Sequence, residues 1–414
     1  MKIRNNPIPD HLLTTPSTLI NDLKDYFDST AKRYVPQFSL QSAITYISHL
    51  TARNYMTTSG LKPEMYSMIV GSSGVGKGYN AKAITGIDTL HTRIVTNATS
   101  ESGLRTAMCT DGASLLALID EMGDKFNPTG QNNKEFLAGL REIYNNNIWL
   151  QKSFSGFKQG QMDTNLVKYN IKSPALSILG MSTEEQLHNG LTAESISNGT
   201  ANRFIIVNAF QSEVIRNRLG LCTSGLTTEL HNKLCAISKR KAVHELWNES
   251  PEIEYISFDD GVENYFDDIH DEMMLEKNGA YNVRTIENSV KVAMNITIAN
   301  SQKSIPMNVA KWSIDYCSYW GYNIKKLSES VNPTVYAGQV ERLSLKLAES
   351  GNKGIEQWKL NKFCRESLGL KNHEREGLIK DLMDDKLITL EDGSKSIKNG
   401  KVKKLYKYIG SKRK

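Results

Sequence analysis

Cysteine is scarce in this chain of 414 residues, and its five copies, Cys109, Cys222, Cys235, Cys317 and Cys364, stand far apart. None forms a C-x-x-C pair or lies beside a histidine cluster, so neither a zinc site nor a disulfide framework is expected. Reduced, buried thiols fit a reducing cytoplasm. Long apolar runs are also lacking. No segment approaches the roughly 18 uninterrupted apolar residues that mark a membrane-spanning helix. The first ten residues have no apolar run behind their basic side chains, so neither a signal peptide nor an anchor is expected there. Internal repeats and low-complexity tracts are missing as well. Proline is rare beyond an opening stretch that holds Pro7, Pro9, Pro16 and Pro36, which reads as an irregular arm with one helix near 19–32.

Charge is present but unevenly spread. The net charge is +6. Residues 351–414 carry 17 Lys and Arg against 9 Asp and Glu, whereas the other 350 residues carry 34 against 36. The basic excess is therefore confined to the C-terminal stretch, which suggests a polyanion docking there, with a solvated basic tail as the plainer alternative.

At roughly 100–200 residues per domain, the length predicts two to four domains. Helical apolar spacing over 39–55 leads into an α/β pattern. Strands are expected at 65–70, 93–97, 115–119, 174–179 and 204–207, with helices between them, which implies a largely parallel sheet covered on both faces. Residues 216–331 read as mostly helical. There Trp312, Tyr316 and Trp320 fall at helical intervals, as a core-facing stripe would. Asn332-Pro333 breaks the chain. The last part reads as three helices, at 339–349, 356–368 and 372–386, followed by a two-stranded wing with a turn at Asp392-Gly393. The expected fold is α/β, with a parallel sheet core, helical N-terminal and lid regions and a C-terminal winged helix. Its expected domains are 1–60, 61–212, 213–333 and 334–414.

The chemistry starts at Gly71, Ser72, Ser73, Gly74, Val75, Gly76, Lys77 and Gly78, between an expected strand and an expected helix. Glycines let successive N–H groups turn inward toward phosphate oxygens, and the helix N-terminus adds partial positive charge. Lys77 would reach the β- and γ-phosphates of ATP. The position after this lysine commonly carries a Ser or Thr hydroxyl for Mg²⁺. Here it is Gly78, so a water would fill that place and hydrolysis could be slowed. A loop that binds without hydrolysing is the alternative. The run 115–119 then delivers Asp120 and Glu121 at a strand end, Asp120 to hold Mg²⁺ and Glu121 to orient or deprotonate the attacking water. A surface acidic pair is the plainer reading.

Together these motifs make the α/β part an expected P-loop NTPase, and they resemble ring ATPases of the AAA+ type. That resemblance implies a γ-phosphate contact from Ser182 or Thr183, although Thr183 equally suits a helix cap before Glu184-Glu185. It also implies that Arg203 reaches a neighbouring subunit's nucleotide as an arginine finger, with a local structural arginine as the alternative. Residues 148–158 alternate and turn at glycine like a β-hairpin. A hairpin here lines the central pore in some hexameric helicases. Lys152 and Lys158 would then touch phosphates while Phe154 and Phe157 stack on bases. A packing hairpin is equally open.

In the C-terminal part, the helix at 372–386 would enter a major groove with the wing along the backbone. Arg375 and Lys380 fall on that helix, and Lys398, Lys401, Lys403 and Lys404 crowd the wing, where they would neutralise phosphates. Such modules also dock proteins.

The landmarks 71–78, 118–121, Ile143-Tyr144-Asn145-Asn146, Ser177-Ile178-Leu179-Gly180 and Asn202-Arg203-Phe204 resemble the YfjI-like family, which is common in prophages, plasmids and other mobile elements. The likeness runs over about 39–327. It implies a cytoplasmic, ring-forming ATPase with ATP and Mg²⁺ as cofactors, acting as a replicative helicase on single-stranded or forked DNA, with duplex DNA at the winged helix and a primase as a further partner. An ATP-switched initiator or helicase loader without processive unwinding is the competing expectation. A transcriptional regulator using only the winged helix leaves the ATPase residues unexplained.

Overall fold

The computed structural model describes residues 8–87, 93–96, 98, 100–110, 112–127, 131–150, 170–191, 199–218, 225–238, 246–275, 279–330, 342–344, 346–347, 350, 354–368, 370, 372–384, 388–395 and 402–408. The chain divides into two compact units, Met1–Ser330 and Val331–Lys414. The first takes in all three of the segments that the sequence sets apart before residue 333.

The first unit is built on five strands: β1 (Tyr66–Val70), β2 (Ile94–Thr96), β3 (Ser114–Ile119), β4 (Ala175–Ser182) and β5 (Phe204–Asn208). All pairings are parallel and the order is β2-β3-β4-β1-β5. Every residue of β1, β3, β4 and β5 is buried, as continuous apolar runs in a doubly covered parallel sheet require. All five expected strands are present. β4 runs three residues beyond its expected end, to Ser182. Because β4 enters the sheet between β3 and β1, the C-terminal tips of these three strands lie side by side, at a switch in strand order where ligands of open α/β sheets bind.

Three helices frame that edge: α1 (Thr18–Thr30), α2 (Pro36–Thr51) and α3 (Lys77–Ile87). α2 begins three residues earlier than expected because Pro36 occupies its first turn, where its fixed φ and missing N–H suit a helix start. It ends at Thr51, so Tyr55 belongs instead to a strand, Tyr55–Thr57. From Gln37 on, every residue of α2 is buried, and several of its polar side chains are satisfied internally. Gln41 Nε2 donates to Ser67 Oγ at 2.7 Å, Thr51 Oγ1 donates to Asn295 Oδ1 at 2.9 Å, and Tyr316 Oη donates to Gln41 Oε1 at 2.9 Å. These bonds satisfy polar groups that would be destabilising if buried unpaired.

The described residues of 213–330 are mainly helical, with short strands as departures from expectation. Glu254–Phe258 is a strand that pairs in parallel with Tyr55–Thr57 and with Ser304–Ile305. In the helix Met307–Ser330 the aromatic stripe is core, as its spacing predicts. Tyr316 and Trp320 are buried, and Trp312 stacks on Tyr316 with ring centroids 4.9 Å apart. No helix among the described residues is long and apolar enough to cross a membrane. The four described cysteines are free thiols.

The second unit contains the helices Gln357–Ser367 and Asn372–Asp384 and a three-stranded antiparallel sheet, Ile355–Glu356, Val402–Tyr408 and Ile388–Lys395 in spatial order. Residues 342–344 and 346–347 are also helical. Leu360, Cys364, Leu378, Leu382, Ile388 and Tyr406 lie in its own core. The expected turn at Asp392-Gly393 is not there. Asp392 pairs with Lys404, and the ladder continues past a register shift to Lys395 opposite Val402. Cross-strand pairing overrides the local turn preference of Asp-Gly, and the third strand was not foreseen.

Candidate functional site

The tips of β1, β3 and β4 carry the phosphate loop, Asp120-Glu121 and Ser182-Thr183. Val70 pairs with Ser182 and Ile119 with Gly180. The Gly71 amide donates to the Ser182 carbonyl at 3.2 Å, which ties the loop's first residue to the tip of β4. Gly74 has φ +83° and Gly76 has φ +99°, a region that side-chain-bearing residues enter only under strain. Val75 is buried and sits against Gly71, where an added Cβ would lie 2.9 Å from it. α3 starts at Lys77, so its N-terminal amides open directly onto the loop.

Lys77 folds back over its own loop. Its ammonium donates to the Gly71 carbonyl at 2.5 Å and to the Ser72 carbonyl at 3.1 Å. Partial burial pushes this ammonium below the ordinary lysine range, with the Asp120 carboxylate opposing. Asp120 and Glu121 are both exposed at the end of β3. Glu121 has φ 53° and ψ 34°, a left-handed conformation that costs a non-glycine residue about 1–2 kcal/mol and that recurs at functional sites. The Glu121 amide donates to Asp120 Oδ1 at 3.0 Å. Ser182 is buried, and its hydroxyl donates to the Thr183 carbonyl at 3.0 Å. The Thr183 hydroxyl closes a capping box, accepting from the Gln186 amide at 3.1 Å and meeting Gln186 Oε1 at 3.2 Å.

These groups line one cavity of about 850 Å³. Lys77, Gly78, Asp120, Glu121, Ser182 and Thr183 share its wall. So do Lys32, Arg33, Lys82 and Gln186, which sequence reasoning missed. Lys32 and Arg33 fall in what reads as an irregular arm, and no local signal placed them beside a loop some forty residues away. The wall carries four basic side chains against two carboxylates, which suits a polyphosphate.

The residues fit Mg²⁺ in a limited way. Among the described residues no group of three or more His, Cys, Asp or Glu could hold a metal alone. Asp120 and Glu121 both line the cavity at the β3 tip, and the Asp120 carboxylate is near enough to Lys77 to favour its charged form. Mg²⁺ typically takes one or two carboxylates and completes its shell with waters and phosphate oxygens. A Cβ on Gly78 would have nothing within 4 Å, so a side chain is absent there although there is room for one.

Arg203 lies elsewhere. It precedes β5, whose first residue pairs with Tyr66 at the start of β1. It is therefore at the opposite edge of the sheet from the loop, separated by a strand length of roughly 15 Å. Its Nη1 donates to the Gly199 carbonyl at 2.8 Å, and its guanidinium lies 5.3 Å from the Tyr144 ring centroid. Burial, and then the nearby Arg284 guanidinium, push it below the ordinary arginine range. Any role at a phosphate would have to be in a second copy of the chain.

Lys152, Phe154 and Lys158 lie outside the described residues. The stem before them is an antiparallel ribbon, Ile148 opposite Lys172 and Trp149 opposite Ile171. In the second unit Lys380 and Lys404 are exposed. Lys403 is in the strand Val402–Tyr408, and Lys398 and Lys401 lie outside the described residues. The Arg375 side chain is only 17% exposed and influences the Cys364 thiol and the Tyr406 hydroxyl, so it faces largely inward.

No family model and no curated protein matches the chain. Among solved structures, a crystal structure of a candidate ATPase from Cytophaga hutchinsonii ATCC 33406 is similar over 71% of this chain and 84% of that one, at 12% identity and a TM-score of 0.35. That likeness is too low to carry an argument. The mixed α/β unit, with its five-stranded parallel sheet, is compatible with a P-loop ATPase fold.

Proposed function

We propose that the chain is an ATPase of the YfjI-like, AAA+ type that works as a ring-forming DNA motor, a replicative helicase of a phage or mobile element. The observation that carries the reading is the single cavity at the tips of β1, β3 and β4, where Lys77, Asp120, Glu121 and Ser182 meet although they are up to 105 positions apart. Loop amides and the α3 N-terminus would receive the phosphates, Lys77 would move from its carbonyls to the β- and γ-phosphates, and Glu121 would orient or deprotonate water. Asp120 would hold Mg²⁺, which supplies charge neutralisation between phosphate oxygens. Arg203, at the far edge of the sheet, suits a finger acting in a neighbouring subunit. DNA contacts are assigned to 148–158 and, in the second unit read as a winged helix, to Lys380, Lys398, Lys401, Lys403 and Lys404.

Gly78 favours a second reading, an ATP-switched initiator or loader that turns over slowly. Hydrolysis measured with and without single-stranded and forked DNA, for wild type and for Lys77→Ala, Glu121→Gln and Arg203→Ala, separates the two. The motor reading expects DNA stimulation, loss in all three variants, and partial recovery when Arg203→Ala is mixed with Glu121→Gln subunits. Binding without turnover on any DNA would transfer support to the switch.

A further inference from the structure

We propose that Lys32 and Arg33 are phosphate ligands of the same cavity, carried on a cationic strap that lies across the loop. The inference rests on the nucleotide-binding reading above and extends it to residues outside the phosphate loop, with the polyphosphate chain of a nucleoside triphosphate as the ligand.

The strap is the short link between α1 and α2, and its backbone is fixed at three points. The Lys32 carbonyl accepts from the Asn217 amide at 3.0 Å. Arg33 and Tyr34 pair antiparallel with Arg216 and Ile215. The Arg33 carbonyl lies so close to the loop that a Cβ on Gly76 would be 2.3 Å from it. Such a backbone has little freedom to swing away. Its two cationic side chains are exposed, and both line the cavity.

The charges on this strap lack an internal counterpart. Among the described residues neither Lys32 nor Arg33 is in an ion pair. Arg33 stands directly opposite Arg216 across the ribbon. Like charges in that arrangement are destabilising, and a sequence free to relieve them would place an acid at one of the two positions. A bound polyanion removes the repulsion. A guanidinium can meet two phosphate oxygens at once in a charge-assisted fork. Because Gly78 withholds one oxygen ligand from the metal, further cations on the cavity wall would offset part of the phosphate charge that the metal neutralises elsewhere.

The test is titration of the full-length protein with a fluorescent ATP analogue, with ATP, ADP and AMP as competitors, beside thermal unfolding without nucleotide. Wild type is compared with Lys77→Ala, Arg33→Gln, Arg33→Lys and the double variant Lys32→Gln/Arg33→Gln. The expected result is a loss of ATP affinity on the order of tenfold or more in the double variant. The loss should be smaller for ADP and least for AMP, with Arg33→Lys intermediate. The unfolding midpoint of Arg33→Gln should stay level or rise, because the repulsion with Arg216 is gone. An ATP affinity unchanged in the double variant overturns the inference and leaves the nucleotide reading intact. Lost affinity that comes with a matching fall in the midpoint overturns it in favour of a structural role. If wild type binds no nucleotide, both fall together.

Discussion

The Lys77 ammonium donates to the Gly71 carbonyl at 2.5 Å, so the lysine is held across the loop by oxygens that stand where phosphate oxygens would compete for it. Replacing it should have little effect on the folded chain, since it is only partly buried, and a large effect on nucleotide. For Lys77→Met, losing charge-assisted contacts of about 1.5–3 kcal/mol each predicts a fall in ATP affinity on the order of a hundredfold. Calorimetric titration reads the affinity directly. Equal affinities in the two proteins would remove Lys77 from the site.

Gly78 gives a prediction in the opposite direction. Nothing lies within 4 Å of a Cβ built there, so Gly78→Ser should fold with stability within about 1 kcal/mol of wild type. On the ATPase reading, the new hydroxyl would supply an oxygen ligand for Mg²⁺. The Mg²⁺ concentration for half-maximal hydrolysis should fall and the maximal rate should rise several-fold. A variant with an unaltered Mg²⁺ requirement and rate would show that the missing hydroxyl limits nothing.

Two loop glycines differ in a way that isolates the strap. Gly74 and Gly76 both have positive φ, but only Gly76 has backbone against its Cβ direction, the Arg33 carbonyl. Gly74→Ala should destabilise by about 1 kcal/mol, the cost of an alanine in the left-handed region. Gly76→Ala adds displacement of the strap and should cost roughly 1–3 kcal/mol more. Denaturant unfolding of both variants measures the gap. Equal losses would mean that the strap moves away freely.

The sheet was legible because four of its five strands are buried on both faces and appear as largely apolar runs, those of β1, β3 and β4 leading into glycine or acid. The last three residues of β4 were not. Gly180 to Ser182 looks like loop until its pairing with Ile119 and Val70 is known. Glu254–Phe258 was hidden for another reason. Glu254, Tyr255 and Ser257 remain at least partly exposed, and its parallel partner Tyr55–Thr57 is almost two hundred residues upstream, beyond any local pattern. The phosphate loop with its lysine and the two carboxylates of the site could be read from sequence because the loop and the acidic pair each follow a strand directly. Lys32 and Arg33 could not, because tertiary packing and the pairing with Ile215 and Arg216, nearly two hundred residues on, bring them to the cavity.

Lys291 supplies a pH-dependent prediction independent of nucleotide. It is buried, its ammonium donates to the Glu64 carbonyl at 2.8 Å, and it lies 4.0 Å from the Tyr144 ring centroid. Burial lowers it from 10.5 to about 8, with Glu64 and Glu287 opposing. Between those two values the unfolded chain binds more protons than the folded one, so this group's contribution to stability rises with pH. Below about 8 both states are protonated and the contribution is flat. Tyr66 and Tyr144, whose hydroxyls burial pushes up, act in the opposite sense above the ordinary tyrosine range, but they are present in both proteins and largely cancel in a difference. Wild type minus Lys291→Met stability, measured by denaturant unfolding at about pH 7.5, 8.5 and 9.5, should therefore increase along the series. A difference that stays constant would mean that the ammonium keeps its proton in the folded chain as readily as in the unfolded one.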